Sequence, residues 1–344
     1  MFLMHTPPER APTVARAVVA ACRGQGWPSE VQPKLLHTLF NELLNHDFDF
    51  HTLEPNTLEE VAAALPSPEE RQELIQLMCA MEMLCDAVPA GMEASVARWA
   101  EGLHVADRSL RVLRELARGQ MRQSMEDFYR LNWIGDLSRR DPGFDQILKN
   151  LGPESYAQTI EADPEEHKRW ARLAACPDGS LGHHLHTFYK KRGFLLPGEA
   201  GAASAAVAHH DWIHLVTDYG TTPLGEIEVV SFMAANCQTS GMMLGLLGAL
   251  ALFESGAFEG SFVTAGVPHQ GLSRPGGNER MADAIKRGKA CKTNLVLDVD
   301  FFSMADEPLC DVRERFELLP KSENVRAVDQ WGALELEPTG AASV

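Results

Sequence analysis

The chain has 344 residues, of which 45% are hydrophobic and 23% are charged. These proportions are typical of a soluble globular protein, and the length predicts two domains rather than one. The formal net charge of −17 excludes a generally basic surface, so nucleic acid is not expected as a partner.

Residues 12–135 predict one helix after another, because apolar residues recur at helical spacing and almost none alternate with period two. Ser67, Pro68 and Glu70 predict an N-cap, a first-turn proline and a capping box. We therefore predict an all-α fold, with an N-terminal helical bundle over 1–122 and a second helical domain over 123–322. The last segment, 323–344, ends in Gly, Ala, Ser and Pro and predicts a loose tail.

The seven cysteines are scattered and form no C-x-x-C pair, and the N-terminal MFLMHTPPER lacks the features of a signal peptide. Both observations predict a cytoplasmic protein with reduced thiols. The most apolar stretch, GMMLGLLGALALF at 241–253, is too short to span a bilayer. We expect it to form a buried helix, with a membrane-touching helix as the alternative.

The segment HHDWIHLVTDYGTTPLGE, residues 209–226, concentrates histidines and carboxylates. On a helix His210, Asp211 and His214 fall at about 0°, 100° and 40° around the axis, so all three project from one side. The spacing of the two histidines lets both imidazoles reach one ion. The sequence thus predicts three metal ligands on one helix.

The next residues predict a hairpin. Gly220 is expected to end the first helix, and Thr222 with Pro223 to begin a returning one. Glu226 then lies in the first turn of that helix. Two nitrogens and two oxygens suit a divalent metal, with Zn²⁺ preferred and Fe²⁺ or Mn²⁺ as alternatives.

Three other interpretations of this segment stay open. It could be a solvated helix end. It could also be a variant of the zinc-protease H-E-x-x-H helix in which aspartate replaces the glutamate that acts as the general base. It could also belong to an HD-type phosphohydrolase, which needs a further histidine and a distant aspartate. The candidates for those ligands are His183, His184, His186 and Asp298.

The motif H-D-x-x-H-x11-E resembles the signature of the coenzyme Q (ubiquinone) biosynthesis protein four family. The resemblance extends over about residues 125–320, through PDGSLGHHLHTFYKKRGF, TTPLGEIEVVSFMAANCQTS and a closing pattern. That closing pattern is a basic run, KRGK, followed by L-x-x-V-R, here LCDVR. One departure is Val299-Asp300-Phe301, which stands where the family has tryptophan-glutamate. The N-terminal part is similar to TerB-like helical domains, although its acidic turn reads Cys85-Asp86-Ala87.

The resemblance implies a helical metal protein that binds prenylated phenols at the membrane, works with biosynthetic protein partners and takes part in removing a ring carboxylate. The helix after Glu226 adds an apolar wall, on which Val230, Met233 and Cys237 are the predicted substrate-binding residues. Two hypotheses follow: a metal-dependent enzyme acting on an apolar aromatic acid, and a non-catalytic lipid-binding scaffold with a structural metal. Both permit homo-oligomers and peripheral contact with the inner face of the membrane.

Overall fold

A computed structural model describes residues 3–24, 26–140, 150, 152–256, 270–329 and 332–335. Within these ranges the chain contains helices and no β-strand, so the predicted all-α fold is confirmed. No helix in the described ranges is both long enough and apolar enough to cross a membrane.

The N-terminal helices confirm the helical bundle that the periodicity predicts. Their bounds are α1 Ala11–Val18, α2 Val31–Leu44, α3 Leu58–Ala64, α4 Pro68–Met83, α5 Ala90–Gly102, α6 Arg108–Ala117, α7 Met121–Leu131 and α8 Trp133–Ser138. The remaining helices are α9 Pro164–Ala171, α10 Leu181–Arg192, α11 Ala205–Thr217, α12 Pro223–Cys237, α13 Ser240–Leu250, α14 Gly277–Ala290, α15 Leu309–Arg315 and α16 Glu323–Val328.

The start of α4 differs in one detail from its prediction. Ser67 is the N-cap, and its Oγ accepts from the backbone N–H groups of Glu69 and Glu70. Glu70 does not complete a capping box, because it is Glu69 whose carboxylate bonds the serine hydroxyl. The reciprocal arrangement instead begins α3, where Thr57 pairs with Glu60.

The helix α13 is buried along its length and joins the two halves of the chain. A Cβ at Gly245 would lie 2.4 Å from Trp133 of α8, and one at Gly248 would lie 2.2 Å from Phe128 of α7. Glycine is therefore required at both positions for α7 and α8 to pack this closely. The buried apolar residues form a single cluster that includes both halves, so residue 122 marks no break in the core.

The segment after residue 322 differs from the predicted loose tail. It begins with α16, and Asp329 is buried, where it accepts from Lys321 and lies 3.0 Å from Arg280 Nη2. Arg280 also bonds Glu228 of α12 through two nitrogens, at 2.6 and 3.0 Å. These charge-assisted bonds explain why a polar sequence packs here instead of remaining loose. Residues 336–344 lie outside the described ranges.

Candidate metal centre

A helix hairpin carries the predicted ligands. Ser204 is the N-cap of α11, and its Oγ accepts from Val207 N. The helix ends at Thr217. Asp218 adopts a left-handed conformation with φ 63°, so α11 ends before Gly220, where the sequence predicts its end. The returning helix α12 begins as predicted, with Thr222 as N-cap.

The hairpin brings the four predicted side chains together. His210, Asp211 and His214 offer ligand atoms that all lie within 4.8 Å of one another. Glu226 approaches from α12, with Oε2 at 3.5 Å from His210 Nε2 and 3.4 Å from His214 Nε2. On the other side, Asp211 Oδ1 lies 3.5 Å from His210 Nε2. His210 therefore lies near both carboxylates, and His214 lies near that of Glu226.

Three of the four ligands have a second contact that fixes their orientation. The other ring nitrogen, Nδ1, lies 2.5 Å from the Val207 carbonyl oxygen in His210 and 3.1 Å from the Tyr219 carbonyl oxygen in His214. Because a carbonyl can only accept, each Nδ1 carries a proton, and each ring turns Nε2 toward the neighbouring carboxylate oxygens. Tyr189 donates its hydroxyl to Asp211 Oδ2 at 2.5 Å.

The charges of these groups depend on one another. Burial lowers the pKa of His210, but the Asp211 and Glu226 carboxylates outweigh it and raise this pKa to about 9. Burial opposes ionisation of Glu226, yet His214 and His210 hold its pKa well below the usual value. The cluster therefore stabilises positive charge between its two carboxylates, which is the requirement for holding a cation.

The donor set fits a divalent ion of the zinc type. His214 is fully buried, and among the described residues its Nε2 makes no hydrogen bond of regular geometry, although Glu226 Oε2 lies 3.4 Å away, so a bound ion would satisfy this nitrogen. Bonds of about 2.0–2.1 Å to a tetrahedral ion separate neighbouring ligand atoms by roughly 3.3–3.4 Å. The separations of 3.4–3.5 Å at His210 and His214 agree with that value.

An apolar cavity of about 340 Å³ opens beside this cluster, and His210 and Glu226 form part of its wall. The remaining wall comes from helices α7, α8 and α13, from the residues after α13, and from residues 157–158 and 201–203. Its larger apolar side chains are Met125, Phe128, Trp133, Leu252 and Phe253. The Trp133 ring lies 6.1 Å from the His210 ring, measured between centroids.

The cavity follows α12 for a shorter distance than the sequence predicts. Val230 lines it, whereas Met233 and Cys237, one and two turns further along α12, do not. Met233 is fully buried, and Cys237 packs near Asn294, whose Nδ2 lies 3.6 Å from its sulfur. Beyond Val230 the wall is formed by residues of other elements, among them Trp133 of α8 and Gly245 of α13, which pack closely together.

The ligands that a phosphohydrolase would need do not join the cluster. Within the described ranges His210, Asp211 and His214 form the sole group of three or more candidate ligands. His183, His184 and His186 lie on α10, where His183 pairs with Asp178. Asp298 is also outside the group, so the geometry does not support that alternative.

Several functional residues carry no motif that predicts their role. Tyr189 and Arg192 lie in the run YKKR at the end of α10. In the structure Tyr189 orients Asp211, and Arg192 bonds Thr221 Oγ1 at 2.8 Å and the Ala333 carbonyl at 3.1 Å. A helical projection of α10 against α11 would suggest such contacts, but only if the packing of the two helices were already known.

No family model matches this chain, and no curated protein matches it. Among solved structures, the chain is similar to a protein of Nostoc punctiforme PCC 73102 that is named provisionally as a ubiquinone biosynthesis protein. The two chains are 17% identical, and the match covers 70% of this chain and 95% of that chain, with a TM-score of 0.29. A TM-score this low carries no argument about this chain.

Proposed function

We propose that this chain is a divalent-metal protein that binds an apolar aromatic carboxylate, with its ring at the metal centre and its alkyl or prenyl chain in the adjacent cavity. The observation that carries the proposal is a shared wall: His210 and Glu226 belong both to the ligand cluster and to the cavity. A small hydrophilic substrate would gain little from a wall of aromatic and aliphatic side chains.

The proposed ligands are His210, Asp211, His214 and Glu226, with Zn²⁺ as the preferred ion. When bound, the ion would supply a positive charge for a carboxylate and neighbouring phenolate, and would favour negative charge developing on the ring during decarboxylation. The protein side chains position that charge, since both histidines have fixed tautomers and Tyr189 holds Asp211. The apolar wall excludes water and holds the chain.

The cavity also offers a polar contact for the ring substituents. Asn132 lines it and is fully buried, and its Nδ2 has no hydrogen-bond partner among the residues that the structure describes. Its Oδ1 caps α8 by accepting from Ile134 N and Gly135 N. These two hydrogen bonds fix the orientation of the side chain. The amide nitrogen is thus a donor for a substrate oxygen.

The finer proposal is a ubiquinone-type pathway, with removal of the C1 carboxylate of a prenylated phenolic acid. It is supported by the resemblance of the His210–Glu226 motif and its flanking segments to the coenzyme Q biosynthesis family. With it we propose a cytoplasmic protein that contacts the membrane peripherally and works with biosynthetic partners. Val230 lines the cavity, which supports its proposed role in substrate binding. Met233 and Cys237 do not line it.

A second candidate is a lipid-binding scaffold with a structural metal. The observation that favours it is the number of ligands, because four side-chain donors are enough to fill a tetrahedral shell. The two candidates differ in whether carbon dioxide is released from a bound phenolic acid.

The test begins with metal analysis of the purified full chain, followed by thermal shift with 4-hydroxybenzoate and its decyl-substituted form. Each methylene buried in the cavity should contribute about 0.8 kcal/mol, so the decyl compound should raise Tm and the parent compound should not. Val230→Phe should abolish the shift by filling the cavity. Cys237→Ser, on the same face of α12 but outside the cavity, is the matched control.

Release of carbon dioxide from the decyl compound would establish the enzyme, and binding without release would establish the scaffold. Equal shifts with both compounds, or an undiminished shift in Val230→Phe, would contradict the cavity assignment. A shift with a nucleotide alone would favour a phosphohydrolase.

A further inference from the structure

Two arginines from distant parts of the chain meet the end of the ligand helix α11. Arg313 of α15 donates from Nη2 to the Leu215 carbonyl at 2.7 Å and from Nε to the Val216 carbonyl at 3.1 Å. Arg287 of α14 donates from Nη2 to the Thr217 carbonyl at 2.8 Å. The final three carbonyls of α11 therefore all accept from a guanidinium.

These bonds complete the C-terminus of the helix. An α-helix leaves its last four carbonyls without partners inside the helix. Just before the arginine-bound carbonyls, the Ile213 carbonyl accepts from Thr217 Oγ1 at 2.5 Å and the His214 carbonyl accepts from Tyr219 N at 3.1 Å. The two cations also lie at the negative end of the helix dipole, where positive charge is stabilising.

The turn that the arginines hold is the turn that orients His214. Tyr219 bonds His214 twice, since its N–H donates to the His214 carbonyl and its own carbonyl meets His214 Nδ1. The guanidinium of Arg287 lies 4.8 Å from the centre of the Tyr219 ring, and Lys321 Nζ lies 5.1 Å from it. Arg287 thus contacts the turn at two points, the Thr217 carbonyl and the Tyr219 ring.

Both arginines belong to sequence patterns that the metal motif does not explain. Arg287 lies in the basic run KRGK, and Arg313 ends the pattern LCDVR. In the first pattern, a Cβ at Gly288 would lie 2.3 Å from the Phe232 carbonyl oxygen, so glycine lets α14 approach α12 closely. In the second, Val312 is fully buried and anchors α15. The patterns therefore place the two guanidinium groups.

We propose that Arg287 and Arg313 are positioning residues of the metal centre. They hold the end of α11 and the turn over 217–219, and so fix the direction in which His214 presents Nε2. Neither arginine contacts the four proposed ligand atoms, and both act through backbone carbonyls and the Tyr219 ring. This inference rests on the proposed metal function.

The chain offers a matched control in Arg71, which performs the same task at a helix far from the site. Its guanidinium donates to the Leu65 carbonyl at 2.6 Å and to the Ala62 carbonyl at 3.0 Å, at the end of α3. Arg71→Gln removes the same kind of bonds as Arg313→Gln. It separates the cost of losing a helix cap from an effect on the metal centre.

The experiment measures three quantities on the full chain: zinc affinity by competition with a chromogenic chelator, the visible absorption of the Co²⁺-loaded protein, and Tm. Arg287→Gln and Arg313→Gln should each weaken zinc binding about three- to tenfold, at most as much as the loss of a partner bonded directly to a ligand. Both should alter the Co²⁺ spectrum. Arg71→Gln should lower Tm with affinity and spectrum unchanged, and Arg313→Lys should restore part of the affinity.

If the two glutamine variants lower Tm but keep wild-type zinc affinity and Co²⁺ spectrum, the arginines are helix caps only and the proposal is wrong. If a glutamine variant does not fold, the lysine variants decide, since an unchanged spectrum in both would also overturn it. Wild-type protein that binds neither ion refutes the proposed function itself, and the positioning role with it.

Discussion

Two glutamates with shifted pKa values, one in each half of the chain, have opposite surroundings. Glu226 of α12 lies 3.4–3.5 Å from two imidazole nitrogens, which keep its pKa below the usual value despite burial. Glu82 of α4 is 1% exposed, and neither of its carboxylate oxygens has a hydrogen-bond partner in the described part of the chain. Burial, and then Glu93, raise the pKa of Glu82 to about 8.

The difference shows what turns a buried acid into a candidate metal ligand. Cysteines surround Glu82: burial first, and then the Glu82 carboxyl, raise the pKa values of the Cys22 and Cys79 thiols well above normal. Those thiols stay protonated and offer no positive charge, so Glu82 gains nothing from ionising. Glu226 ionises because two nitrogen ligands face it. The comparison makes four predictions.

The largest effect is expected from removing the carboxylate at the hairpin. Glu226→Gln should weaken zinc binding about a thousandfold, because a neutral amide replaces an anionic ligand and the loss exceeds that of an outer partner. Glu82→Gln should leave zinc affinity unchanged. Isothermal titration of zinc into both variants measures the two affinities. Equal zinc affinities in the two variants would contradict this prediction.

The second prediction concerns stability against pH. In the unfolded chain Glu82 titrates near pH 4.5, whereas in the fold its pKa is about 8. Between these values the folded state binds the extra proton, so raising the pH through this window destabilises the fold. At pH 7 the raised pKa of Glu82 lowers the free energy of unfolding by about 3 kcal/mol.

Glu82→Gln should therefore flatten the fall in the free energy of unfolding between pH 5 and pH 8. Urea titrations at several pH values measure this slope, which is a cleaner readout than stability at one pH because the glutamine amide is also buried. An unchanged slope in the variant would show that Glu82 ionises normally.

The third prediction separates two buried tyrosine hydroxyls. Tyr189→Phe removes the donor that holds Asp211, so zinc affinity should fall about tenfold. Tyr219→Phe keeps the ring that Arg287 contacts and removes a hydroxyl that makes no hydrogen bond of regular geometry to the described residues, so its zinc affinity should match that of wild type. Chelator competition on both proteins tests this, and a larger loss in Tyr219→Phe would reverse the assignment.

The smallest effect is expected in the cavity. Like Glu82, Asn132 has an unsatisfied polar atom, but its Nδ2 belongs to a side chain that lines the cavity. Asn132→Asp keeps the oxygen that caps α8 and replaces the donor with an acceptor. Binding of a decyl phenolic acid should weaken about three- to tenfold, the value of one hydrogen bond, while decyl phenol binding changes less. Equal losses for both ligands would contradict a contact with the carboxylate.

The metal motif could be predicted because it is local. His210, Asp211 and His214 share one turn of a helix, and the residues between them and Glu226 carry their own cap and turn signals. Helical geometry and hairpin length then suffice to bring the four together. The same local logic predicted the α4 N-cap at Ser67, but not which acidic side chain would bond it.

Residues whose role depends on distant neighbours could not be predicted in this way. Met233 lies on the same face of α12 as Val230, yet only Val230 lines the cavity, whose other walls come from α7, α8 and α13. Similarly, the polar segment after residue 322 gives no sign that Asp329 will be buried against Arg280.

The sequence alone thus determined the all-α fold, the hairpin and its four convergent side chains, because periodicity and capping act over a few residues. The tertiary structure decided which wall the cavity follows, that Tyr189 holds Asp211, and that Arg287 and Arg313 close the end of α11. Those contacts join residues from 22 to about 100 positions apart. They depend on how helices pack, and packing is set by the whole core rather than by any one segment.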